Sequence, residues 1–70
     1  MPLIFAKIGE TKVISSFQGK EDIKRHLQNL GFTVGEEVKV VTENDSGLIL
    51  IVKGVRMALN RGLASKIMVS

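Results

Sequence analysis

Seventy residues without a cysteine allow one small domain and exclude both disulfides and thiolate metal sites. Ten Lys/Arg against seven Asp/Glu leave a net +3. The charges are interspersed, five basic and three acidic in residues 1–35 and five and four in residues 36–70, so there is no basic tail of the nucleic-acid-binding kind. Stability must therefore come from apolar packing, and the 44% of hydrophobic residues, mostly aliphatic, supply it. The longest apolar run, Leu48–Val52, falls far short of the ~20 residues that cross a bilayer. No basic segment followed by a long apolar stretch opens the chain, so the cytoplasm is the expected location.

Residues 3–8 are apolar and run into a turn at Gly9-Glu10-Thr11. The alternation that follows predicts a strand over residues 11–17, with Val13 and Phe17 on one face and Ile14 on the other. Ile23, Leu27 and Leu30 then recur at spacings of four and three, which predicts the one helix, over residues 20–30. Glu21 and Asp22 suit its first turn, where exposed amides favour negative charge. Gly31 is expected to take the left-handed conformation past its end, letting Phe32 fold back onto Leu27.

From Glu37 the period changes to two. Val38 and Val40 point inward in Glu37–Glu43, Asn44-Asp45-Ser46-Gly47 makes a turn, and Leu48–Lys53 returns, giving a hairpin over residues 37–53. The return strand is apolar on both faces, Leu48, Leu50 and Val52 against Ile49 and Ile51. One face must meet the core; the other is either covered by the helix or amino-terminal segment, or is a contact surface. Gly54 permits a tight turn into Val55–Leu59, with Val55, Met57 and Leu59 on one side. Residues 60–64 are expected to form a single 3₁₀-like turn, and Lys66–Val69 a last strand. Five short strands and one small helix predict a mostly β, partly open barrel, because closure hides sheet edges.

The inventory for catalysis is thin. His26 is the only histidine, and no serine lies in a nucleophile-elbow context. Gly31-Phe32-Thr33-Val34-Gly35 has neither the dinucleotide-binding nor the phosphate-loop order. A non-enzymatic module without a cofactor is the expectation. Asp22 and His26, one helical turn apart, face the same way. Two ligands fall short of the three or four protein groups a zinc site uses, so they offer chance capture of a divalent cation and no dedicated site.

The order of elements resembles the ferrous iron transport protein A family of small SH3-like barrels, which has relatives at the carboxyl end of some iron- and manganese-dependent repressors. The resemblance rests on Ile8-Gly9 before Val13, on Leu30-Gly31-Phe32-Thr33-Val34-Gly35 after the helix, and on Glu37-Val38-Lys39-Val40-Val41. Ala58-Leu59 and Ala64-Ser65-Lys66-Ile67-Met68-Val69 complete it, and it spans nearly the whole chain as one domain. One departure is the short turn Asn44–Gly47, where many members carry a longer loop with Gly-Asp-Pro.

The resemblance implies a cytoplasmic accessory of a bacterial ferrous iron permease, acting on that permease's cytosolic GTP-binding domain and recruited through it to the inner face of the membrane. A docking surface with an apolar centre and basic rim is then expected from Ile49 and Ile51 with Lys53, Arg56 and Arg61. Self-association is left open. The runner-up is a nucleic-acid-binding barrel, disfavoured by the modest charge and the lack of aromatic stacking candidates. A metal-responsive regulatory module is the third reading, but it would need a helix-turn-helix region for which there is no room.

Overall fold

The computed structural model describes all residues 1–70. After a 3₁₀ turn at Leu3–Phe5 the elements run β1 (Thr11–Phe17), α1 (Glu21–Asn29), β2 (Glu37–Glu43), β3 (Gly47–Val52), β4 (Val55–Asn60), α2 (Arg61–Ala64) and β5 (Ile67–Val69). The strands form one antiparallel sheet in the order β4-β3-β2-β1-β5. β4 and β5 do not pair with each other, so the result is the partly open, SH3-like barrel expected from the element order. No helix is long and apolar enough to cross a membrane.

Two bulges bend this sheet. One falls in β1 between Ile14 and Ser16, the other in β2 between Val40 and Thr42. An extra residue at Ser15 changes which side chains share a face. Ile14 sits opposite Val69 and Phe17 opposite Ile67, and both partners are buried. Phe17 therefore packs against the core on the side of Ile14, while Val13 is exposed. Simple alternation had grouped Phe17 with Val13; the bulge reverses that grouping.

The end of α1 is a Schellman motif. The N–H of Gly31 donates to the carbonyl of Gln28 at 3.0 Å, and the N–H of Phe32 donates to that of Leu27 at 3.0 Å. Gly31 holds φ at +106°, a conformation side chains resist. Of the apolar stripe, Leu27 is fully buried and Ile23 partly so, whereas Leu30, at the helix end, is 38% exposed.

Residues 61–64 form a short α-helical turn rather than the 3₁₀-like turn anticipated. The Leu63 N–H donates to Asn60 Oδ1 at 2.8 Å, and the Ser65 N–H reaches the Arg61 carbonyl, four residues back, at 2.9 Å. Asparagine at this cap satisfies a first-turn amide that would otherwise lack a partner. The turn seats Ala64 in the core.

The core is one cluster of apolar side chains centred on Phe32, Leu27, Ile14, Leu50 and Leu3, and it contains no buried polar side chain. Folding rests on apolar burial, with no internal ion pair to organise it.

Candidate functional site

The turn between β3 and β4 is two residues long, Lys53-Gly54, with φ of +53° and +75°. Both values are left-handed, the signature of a type I′ hairpin turn, whose twist matches that of the strands it joins. Val52 and Val55 flank the turn, and the two strands stay in register through Gly47 and Asn60.

This register sorts the side chains. On the core face Leu48 lies beside Leu59, Leu50 beside Met57 and Val52 beside Val55. On the outer face Ile49 lies beside Ala58 and Ile51 beside Arg56. The outer rows continue onto β2, where Thr42 neighbours Ile49 and Lys39 neighbours Ile51. Ile51 is thus held between two cations, Lys39 and Arg56.

Neither Ile49 nor Ile51 is fully covered; both are half-buried. Each lines a shallow depression. Ile49 contributes to one of about 220 Å³, bounded by Ala58, Leu59, Gly47 and Asn60. Ile51 contributes to another of about 370 Å³, with Lys53, Lys39, Glu36 and Glu37 around it. Of the residues anticipated at the contact, Ile49, Ile51, Lys53 and Arg56 come together on the outer side of the β3–β4 hairpin. Arg61 stands at the far end of β4 and is paired with Glu43 at 3.7 Å. Lys53 and Arg56 are exposed and take part in no ion pair.

Charge is distributed unevenly once the chain is divided at the turn between β2 and β3. All seven acidic residues lie in residues 1–45. Residues 46–70, which build β3, β4, α2 and β5, carry Lys53, Arg56, Arg61 and Lys66 and no acid. The net positive charge of the molecule therefore belongs to this part of the fold.

Asp22 and His26 are both exposed on α1, and Asp22 Oδ1 accepts the Ile23 N–H at 2.9 Å. Nowhere in the chain do three or more His, Asp or Glu side chains gather. Glu10 has a carboxyl held below its ordinary range, chiefly because Oε1 accepts the Lys7 N–H at 2.8 Å, with the Lys12 ammonium 3.7 Å from Oε2 adding to it. Glu10 belongs to the turn before β1, and its carbonyl accepts the Val40 N–H of β2 at 3.2 Å.

Sequence reasoning missed Ala58 and Lys39 as neighbours of the two isoleucines. A two-residue turn at Lys53-Gly54 would have placed Ala58 opposite Ile49 and Arg56 opposite Ile51. Lys39 required the register of β2 against β3, which depends on the bulge at Val41.

The arrangement offers apolar contact and positive charge, with no group positioned to activate a nucleophile or move a proton. Comparison with known proteins agrees with a binding role. A Methanocaldococcus jannaschii protein named for Fe(2+) transport is 35% identical over 68 residues, covering 97% of this chain and 83% of its own. A crystal structure of an iron uptake regulatory protein, FeoA, superposes with a TM-score of 0.90 at 30% identity, over 99% of this chain and 92% of that one. Stenotrophomonas maltophilia FeoA, crystallised with zinc and described as a procaryotic SH3 domain protein, gives 0.86 at 30% identity over 100% and 89%. The FeoA domain family matches residues 1–70. The chain belongs to the FeoA family of ferrous iron transport proteins, non-catalytic accessories built as SH3-like barrels.

Proposed function

We propose that this protein is a cytoplasmic accessory of a ferrous iron permease and docks on the permease's GTP-binding domain through the outer side of the β3–β4 hairpin. Ile49 and Ile51 form the apolar centre, with Lys53 and Arg56 as the basic rim and Arg61 at its margin. One observation carries the reading: two partly exposed isoleucines on the outer face of β3 sit beside Lys53 and Arg56, exposed cations that take part in no ion pair. Apolar area supplies affinity, and cations that already lack an internal partner are free to meet an acidic surface. The partner would hold the nucleotide and the transport path; this chain would bias the partner's state.

Titration calorimetry of the full chain into the cytosolic domain of its own organism's permease tests this, with a GTP analogue, with GDP and without nucleotide. Binding in at least one state, weakened by Ile51→Glu, is the expected result. Absence of binding in all three states would overturn the assignment to the GTP-binding domain.

A further inference from the structure

The two edges of the sheet are treated differently. β5, at one end, has only three residues, and its outer side is covered by the amino-terminal segment. The Val69 N–H donates to the Met1 carbonyl at 2.7 Å, the Met1 amino group donates to the Val69 carbonyl at 2.9 Å, and Pro2 bridges to Met68. β4, at the other end, has six residues, no proline and no bulge, and no strand lies beyond it. Short length, proline and bulges are the usual devices that keep an edge from pairing. β4 has none of them, and only Arg56 places a charge on it.

The register says which backbone groups are free. Residues flanking a two-residue turn form a hydrogen-bonded pair, and such pairs alternate along an antiparallel ladder. Val55, Met57 and Leu59 therefore bond to β3. Arg56 and Ala58 direct their N–H and C=O groups away from it, and neither amide donates to any other part of the chain. The lip beside this edge is apolar on the core face: Leu59 is buried, Met57 is partly covered and Val55 is 54% exposed. On the outer face the lip carries Arg56 and Ala58.

We propose that the free edge of β4 captures an extended acidic segment of the partner as an added strand. The inference rests on the reading of the β3–β4 hairpin as the docking surface and supplies the mode of recognition. Backbone groups of Arg56 and Ala58 pair with the incoming strand. Its alternate side chains cover Val55 and Met57 on one face and meet Arg56 on the other, which selects a segment alternating apolar and acidic residues. Charge decides against a second copy as the occupant. Self-pairing would bring Arg56, flanked by Lys53 in the turn before β4 and Arg61 just after it with no acid between them, close to the same three cations of the other copy, and like charges facing each other are destabilising.

The test uses the full chain and a synthetic eight-residue peptide of alternating Glu and Val, blocked at both ends. Hydrogen exchange read by NMR should show the Arg56 and Ala58 amides gaining protection on peptide binding. Ala58→Pro removes one outward N–H while leaving every bond to β3 in place, a substitution that edge strands tolerate. It should weaken the peptide on the order of tenfold, as loss of a main-chain hydrogen bond together with a blocked approach implies. The same peptide with alternate residues N-methylated should bind the unaltered protein equally poorly, which decides the matter even where the proline variant fails to fold. Full affinity of the N-methylated peptide, or peptide binding without protection at Arg56 and Ala58, would overturn the proposal. So would a wild-type dimer in sedimentation that Ala58→Pro converts to monomer, since a second copy would then own the edge. Peptide capture alongside silence from the permease domain would leave the edge intact and remove only the GTP-binding domain as its target.

Discussion

The amide of Phe32 donates to the carbonyl of Leu27 at 3.0 Å, and both side chains are fully buried. Together with the Gly31–Gln28 bond, this contact fixes where α1 stops and directs the largest core residue under it. Phe32→Ala should lower unfolding free energy by roughly 3–5 kcal/mol, as cavity-forming truncations of buried phenylalanine do. Gly31→Ala forces a side chain into positive φ and should cost about 1–2 kcal/mol. Urea unfolding monitored by circular dichroism would check both.

Gly47 begins β3 against the backbone of β4. A Cβ there would overlap the Leu59 carbonyl oxygen and come within 2.8 Å of the Asn60 Cα. The backbone of Leu59 and Asn60 cannot yield as a flexible side chain can, so Gly47→Ala should destabilise by roughly 1–3 kcal/mol. A melting temperature no lower than wild type would contradict this close approach.

Lys53 holds a positive φ of +53° without being glycine. Lys53→Gly should relieve about 1 kcal/mol of left-handed strain and raise the melting temperature. It also removes a rim cation, so the same variant should bind an acidic partner less well. Stability rising while affinity falls is the pattern to look for in paired calorimetric and thermal measurements.

Glu10 is one source of acid sensitivity. Its folded pKa lies below the ordinary 4.5, first through the Lys7 N–H. The sign follows: the stabilisation is full above the unfolded value and is lost as pH falls through the folded one. Glu10→Gln should therefore be less stable than wild type at pH 6, with the gap closing below pH ~4.5. A gap independent of pH in urea titrations would assign the effect to something other than ionisation.

Arg56 and Arg61 should behave oppositely on substitution. Arg61 faces Glu43 at 3.7 Å with both side chains nearly half exposed, so Arg61→Ala should cost less than ~1 kcal/mol in stability and little in binding. Arg56 has no internal partner; Arg56→Glu should leave the fold unchanged and reduce permease-domain affinity by about tenfold or more, with the loss shrinking at high salt. Equal effects of the two arginines on binding would move the contact toward α2.

Local chemistry was enough to read most of the fold. The hairpin turn at Asn44–Gly47, the inward Val38 and Val40, the left-handed Gly31 and the return of Phe32 onto Leu27 all follow from neighbours within a few residues. So did the two-faced apolar strand that holds Ile49 and Ile51. The rest depended on pairing between distant strands. Nothing in Ser15 or Val41 marks a bulge; each becomes one only because β5 or β3 lies alongside, and that pairing turns Phe17 inward and sets Lys39 beside Ile51. Which edge stays open was likewise invisible along the chain, because Met1 and Pro2 close β5 from the opposite terminus. Sequence alone determined a small apolar barrel with cations near its carboxyl end. Only the tertiary structure decided that those cations flank partly exposed isoleucines and a strand with one free edge, because exposure and edge pairing are set by residues far apart in the chain.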